Sequence, residues 1–286
     1  MSARGGMIRN MPDDHAHTYP HGVPCWVDTE QPDPPAARSF YGNLFEWQFT
    51  EAVPAGAPGT YSIATVDGHD VAAVGQSDHR AQWSTYICVD DADASAAAVL
   101  AAGGSILSDP YEAGPGGRTA TCHDPVGAAF RLWQPRQRLG AQLVNAPRTW
   151  NFSHLHTSDP SLVRPFYAEV FGWEMDELPD GSGVSIRVPG YGQHLASTVD
   201  PGIFERQAAA PPGFADVIGG MQVIGSDEAS HWHVTFSVGD RDVAIRTAEQ
   251  LGAALLSTSE TPWSLLADLR DLQGAEFTIS QFRPPS

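Results

Sequence analysis

The sequence predicts an α+β fold: two similar domains in tandem, each made of two βαβββ units, across 286 residues. Three observations carry this. Residues 150–173, WNFSHLHTSDPSLVRPFYAEVFGW, read as strand, turn and helix, and an earlier copy occupies 24–47, PCWVDTEQPDPPAARSFYGNLFEW. Later stretches repeat in the same order. HWHVTFSV matches QWSTYICV, with Trp232 on Trp83, and DLQGAEFTISQ matches DPVGAAFRLWQ, with Phe277 on Phe130 and Gln281 on Gln134. Finally, 28 glycines and 23 prolines punctuate short alternating segments, as frequent turns between short strands require.

Residues 1–22 lack the apolar core of a signal peptide and read as a flexible leader. Residues 24–30 form the first strand. Asp33 then caps a helix over 34–45, and Pro34 suits its first turn. In the second copy Leu162, Phe166, Tyr167 and Val170 recur at helical spacing behind Asp159-Pro160. Strands follow at 47–51, 61–66 and 71–74. The second unit opens at Trp83 with STYICV. Asp91 caps an Ala-rich helix that ends at Gly103-Gly104, and strands at 105–107, 118–123 and 128–134 complete the unit. These limits give a first domain over 23–135, an aperiodic linker over 136–148 and a second domain over 149–286. The second half adds strands at 184–188 and 194–199 and a helix from Asp240 to near Gly252. Residues 200–230 stand where the first half has only GQSDHRAQ, and an insert of that length reads as a lid over the site or an oligomer contact.

A formal net charge of −18 argues against a surface that tracks nucleic-acid phosphates or anionic lipid. No run approaches the ~18 apolar residues of a membrane span. A cytoplasmic protein with a small-molecule substrate is expected, and a homodimer is compatible with it. Cys25, Cys88 and Cys122 are too few and too sparse for a disulfide framework and read as small buried side chains.

The strand–Asp-Pro–FYxxxFxW block, present twice, and the DPxGAxFxLWQP ending at 124–135 resemble the vicinal oxygen chelate superfamily. That superfamily includes glyoxalase I, extradiol ring-cleavage dioxygenases, and bleomycin- and fosfomycin-resistance proteins. The match spans nearly all of 23–282 and is nearest to the two-domain actinobacterial type. It implies that paired βαβββ units curl into cups, with metal ligands pointing inward from first and last strands. It leaves the reaction open, since the scaffold hosts oxygenases, isomerases, lyases, transferases and plain binders.

Superposing the halves through the repeat sets His154 on Asp28, His233 on Ser84 and Glu276 on Ala129. Two imidazoles and a carboxylate suit a divalent metal with open positions, Fe(II) first, with Mn, Zn, Ni or Co as alternatives. The set also resembles the His, His, Glu order of extradiol dioxygenases. The family's first ligand aligns nearer Phe152 and its last nearer Thr278, so His154 and Glu276 sit one alternation step away on the same faces. His156 and His231 share those faces and are the candidate acid–base residues, with His156 also a substitute ligand. His194 is expected on the fourth strand, where glyoxalase-type members place a ligand. Asp28, Ser84 and Ala129 make no metal site, so the first domain reads as a structural partner or a metal-free pocket. Two metal-free readings stand beside the enzyme: a binder that sequesters an aromatic natural product, and a His acid–base enzyme of secondary metabolism.

Overall fold

The computed structural model describes residues 17–54, 56, 58–178, 183–208 and 210–283. The first half contributes β1 (Pro24–Gln31), α1 (Pro34–Phe45), β2 (Gln48–Glu51), β3 (Tyr61–Val66), β4 (His69–Gln76), β5 (Gln82–Cys88), α2 (Ala92–Ala101), β6 (Ser105–Glu112), β7 (Gly117–His123) and β8 (Ala129–Pro135). The second contributes β9 (Trp150–Thr157), α3 (Pro160–Phe171), β10 (Glu174–Glu177), β11 (Val184–Arg187), α4 (Tyr191–Ser197), α5 (Ile203–Arg206), β12 (Val217–Val223), β13 (His231–Ser237), α6 (Arg241–Gln250), β14 (Ala254–Glu260), β15 (Ser264–Arg270) and β16 (Glu276–Phe282).

Each half forms one eight-stranded sheet, ordered β2-β3-β4-β1-β5-β8-β7-β6 and β10-β11-β12-β9-β13-β16-β15-β14. The expected α+β fold of paired βαβββ units is therefore present twice. Within each sheet the two units meet along an antiparallel seam, β1 on β5 and β9 on β13. The helix starts are as the sequence predicts: Asp33, Asp91, Asp159 and Asp240 each accept a backbone N–H within the first turn. Among the described residues no helix is long and apolar enough to cross a membrane.

The repeated aromatic block has a specific job. Each half buries its first helix against the other half. Tyr41 and Phe45 of α1 pack on Phe277 and Phe236 of the second sheet. Reciprocally, Phe166, Tyr167 and Phe171 of α3 pack on Phe130 of the first. The polar ends repeat this exchange: the Tyr41 hydroxyl donates to Asp271 at 2.8 Å, and the Tyr167 hydroxyl donates to Asp124 at 3.1 Å. Trp83 and Trp232 donate their indole N–H groups to those same two hydroxyls. Tyr167→Phe leaves a buried indole N–H and a carboxylate oxygen without partners, so a loss of about 1–3 kcal/mol is expected in chemical denaturation. An unchanged midpoint would contradict it.

Three expectations change. The fourth strand of the third unit is not 194–199, which lies largely in α4, but β12. Its sequence, VIGGMQV, carries two glycines and so lacks the bulk of an ordinary strand. The glycines are needed because β12 runs parallel to β9 at close range: a Cβ on Gly219 would lie 2.4 Å from the Ser153 carbonyl oxygen. Second, the insert is not simply a lid. Its C-terminal part, β12, is a strand of the second cup. Just before it, His194 of α4 meets the Thr18 carbonyl at 3.0 Å and the Thr18 hydroxyl at 3.1 Å. Third, residues 17–22 of the expected leader are packed, with the buried Tyr19 hydroxyl donating to the Ala141 carbonyl at 2.7 Å. The rest of that leader, including His15, lies outside the described residues. Cys25, Cys88 and Cys122 are free and buried, as expected.

Candidate metal centre

Strands β9 and β13 pair His154 with His233 and His156 with His231. Side chains alternate along a strand, so all four imidazoles share one face. The opposite face carries Ser153, Leu155, Trp232 and Val234, all buried, and Ser153 accepts a hydrogen bond from Thr85 of the first half. The apolar face therefore fixes the register, and the register delivers four histidines to the cup.

Among the described residues, one group of metal-ligating side chains converges: His156, His231 and His233, each offering a ligand atom within 4.8 Å of the others. The His156 and His233 rings stack with centroids 5.1 Å apart, and His231 meets His156 edge-on at 4.8 Å. Hydrogen bonds assign two of the tautomers. The Ala229 carbonyl can only accept, so His231 donates from Nδ1 at 2.9 Å and keeps a lone pair on Nε2. Thr278 gives its one hydroxyl proton to Asp268 at 2.6 Å, so it accepts from His233 Nε2 at 2.8 Å. That leaves the His233 Nδ1 lone pair free. Ser257 donates to the other Asp268 oxygen at 2.5 Å, completing a chain that holds the His233 ring by its far nitrogen.

The electrostatics favour neutral rings. Burial, with the His233 ring next, lowers the His154 pKa from 6.5 to about 4. Burial followed by His233, His231 and His154 lowers that of His156 to about 3. Burial also lowers His233, against an opposing pull from Asp268. Imidazoles held neutral near pH 7 are ready ligands, because no proton competes for the lone pair. The same shifts fix a sign for stability. On unfolding His154 and His156 return toward 6.5 and take up protons, so their contribution is complete above about pH 6.5 and declines as pH falls towards about 4 for His154 and about 3 for His156. The melting temperature of metal-free protein should therefore fall across that window, and His156→Gln should make the fall shallower. An equally steep fall in the variant would contradict the assignment for His156.

The expected ligand set, His154, His233 and Glu276, shares only His233 with the convergent group. His154 leans towards β12, where a Cβ on Gly220 would sit 2.8 Å from its Nδ1. Glu276 is held by Arg270, at 3.0 Å from Nε and 2.9 Å from Nη2, and by Arg80 of the first half at 3.6 Å. The carboxylate is engaged by cations, whereas His156 and His231, expected as acid–base groups, stand with His233. His194 lies on α4, bound to Thr18. Thr278 was visible as the position nearest the family's last ligand, but its role in orienting His233 rests on Asp268, which no spacing signal marked.

Comparison with known proteins agrees with this architecture. A family model described as a glyoxalase-like domain matches twice, over residues 26–133 and 151–280. The chain is 32% identical over 274 residues to CFP32 of Mycobacterium tuberculosis, named provisionally as a glyoxylase, covering 93% of this chain and 97% of that protein. It is 31% identical over 283 residues to the anthracycline biosynthesis protein DnrV of Streptomyces peucetius, covering 92% and 94%. Among solved structures, the Mn(II)-bound glyoxalase from Novosphingobium aromaticivorans superposes with a TM-score of 0.58 at 16% identity, covering 91% of this chain and 82% of that one. The 2,3-dioxygenase LapB from Pseudomonas sp. KL28 superposes with a TM-score of 0.57 at 13% identity, covering 93% and 95%. At such identities the structural matches speak to fold alone.

Proposed function

Because the chain belongs to the glyoxalase-like domain family of the vicinal oxygen chelate superfamily, matched in both halves, we propose that it is a small-molecule enzyme whose second cup holds a divalent metal on His156, His231 and His233. The observation that carries this reading is the convergence of three imidazoles whose ligand atoms lie within 4.8 Å of one another. The donor set fits: two lone pairs face away from assigned hydrogen bonds, and among the described residues no hydrogen bond engages His156. Three imidazoles without a carboxylate suit Fe(II), Zn, Mn, Ni or Co. Such an ion supplies Lewis-acid polarisation of adjacent substrate oxygens. The Asp268–Thr278 pair fixes the His233 ring. His154, half-buried beside His233 and outside the converging set, is the group we assign to accept a substrate proton.

The substrate class is an oxygen-rich or aromatic metabolite, and the reaction an oxygenation, isomerisation or lyase step. The similarity to DnrV, named for anthracycline biosynthesis, supports a place in secondary metabolism. The test is anaerobic reconstitution of metal-free protein with Fe(II), Mn(II) and Zn(II), each followed by calorimetry. Saturation at one ion per chain is expected. If none of the three binds, the metal reading fails, and the metal-free binder or acid–base enzyme replaces it.

A further inference from the structure

The two open sheets end in four edge strands, β2 and β6 in the first half and β10 and β14 in the second. An edge strand presents unpaired N–H and C=O groups that another strand can complete, and folded proteins blunt such edges with short length, charge, proline or bulges. Three of the four are blunted. β2 has four residues and ends on Glu51. β10 has four as well, and Glu174, Asp176 and Glu177 are among them. β6 carries Asp109, Pro110 and Glu112, and its register against β7 shifts twice. β14 differs. It has seven residues, ALLSTSE, all exposed, with no proline and one ionisable side chain, Glu260. Its inner side pairs with β15, with one irregularity ahead of Ser257. Among the described residues no backbone hydrogen bond reaches its outer side.

The strand's own sequence indicates what completes it. Ser257-Thr258-Ser259 reads the same in both directions. Antiparallel pairing with a second copy, centred on Thr258, sets Thr258 against Thr258 and Ser257 against Ser259. Hydroxyl then meets hydroxyl at each position, a combination that favours cross-strand hydrogen bonds. Register with β15 puts Ser257 opposite Asp268 and Ser259 opposite Leu266, so the two serines share the cup face and Thr258 takes the other. Ser257 gives its proton to Asp268 at 2.5 Å, which leaves its oxygen to accept from the Ser259 hydroxyl of a second copy. The ends match as well. Leu255 and Leu256 are exposed near the start of β14, and Trp263 is exposed just past its end. Antiparallel pairing brings the leucines of each copy to the tryptophan end of the other. Charge points to the same strip. The chain carries −18, so two copies repel over most of their surface. Here the one carboxylate, Glu260, is paired with Arg283 at 3.1 Å, which leaves the strip formally neutral.

We propose that β14 is the contact between two copies of this chain, paired antiparallel about Thr258 so that their second sheets join into one continuous sheet. The two-fold axis at Thr258 closes the assembly as a dimer, because pairing consumes the edge on both copies. The surface goes beyond the metal reading and stands without it, since none of the three converging histidines lies on β14.

The test is sedimentation equilibrium of the full chain, with a chelator present so that no metal bridges two molecules. A mass that rises with concentration towards that of two chains is expected. Thr258→Lys sets two like charges against each other on the axis and should weaken the dimer about fivefold or more. Thr258 is exposed, so the circular dichroism spectrum of the variant should match that of wild type. Ser259→Lys should weaken the dimer likewise, and it decides should the first variant not fold. Thr258→Cys, treated with oxidised glutathione as the electron acceptor, should give a disulfide-linked dimer, whereas Leu107→Cys on the blunted β6 should not. A monomer at every concentration up to the millimolar range overturns the proposal. So does a dimer that neither lysine variant weakens, which places the contact elsewhere. A dimer in which Thr258→Cys stays uncrosslinked overturns the antiparallel register about Thr258.

Discussion

His233→Ala is expected to lower divalent-metal affinity by more than about 100-fold while leaving the melting temperature of metal-free protein within a few degrees. His233 stacks on His156 of the neighbouring strand and meets His231 of its own strand edge-on, and its ring is fixed by the chain through Thr278 to Asp268. Loss of an orienting partner alone costs about 10–100-fold in metal affinity, so loss of the ligand should exceed that range. Thr278→Val should fall inside it, because the ring remains but its Nε2–H loses the oxygen that fixes the tautomer. The fold should tolerate the alanine. His233 faces the cup, whereas its neighbours Trp232 and Val234 carry the packing. Calorimetry with Zn(II) and Mn(II) reads all of this. Equal affinity in wild type and His233→Ala would show that any metal sits elsewhere.

Gly219→Ala is the substitution expected to damage the second sheet most. The added Cβ would lie 2.4 Å from the Ser153 carbonyl oxygen, a backbone atom in the centre of β9 that cannot rotate aside. Overpacking costs about 1–3 kcal/mol where side chains can adjust, so a backbone collision should cost at least about 3 kcal/mol. At roughly 2–4 °C per kcal/mol for a chain of comparable size, the melting temperature should drop by about 6 °C or more. Gly220→Ala offers the contrast. Its nearest obstacle, at 2.8 Å, is the His154 ring, which can turn. Stability should suffer less, and His154 should move. Equal losses for the two variants would contradict this account of why β12 carries paired glycines.

Most of the scaffold was legible because the repeated residues are those that make contacts between the halves. Tyr41 and Tyr167 occupy equivalent places in the two FYxxxFxW blocks, and each reaches an aspartate of the other half. A requirement imposed twice by one geometry leaves one pattern twice in the sequence. β12 escaped notice for the opposite reason: closeness to β9 demands glycine where strand patterns show bulk. The faces of His154, His156, His231 and His233 followed from alternation alone. Which of them converge did not. Alternation fixes the side of the sheet and says nothing of sideways lean, and that lean is set by distant groups. Arg80 belongs to the other half, yet with Arg270 it engages Glu276. Asp268 reaches His233 only through Thr278.

The central claim is that three histidines, not two histidines and a glutamate, hold the ion. Since His233 belongs to both sets, the deciding comparison is His156→Ala against Glu276→Gln, each titrated with Zn(II) under the same conditions as wild type. The geometry of the second cup calls for loss of binding by more than about 100-fold in His156→Ala, and for affinity within about threefold of wild type in Glu276→Gln, whose carboxylate is committed to arginines. Retained binding in His156→Ala together with its loss in Glu276→Gln would contradict the three-histidine centre.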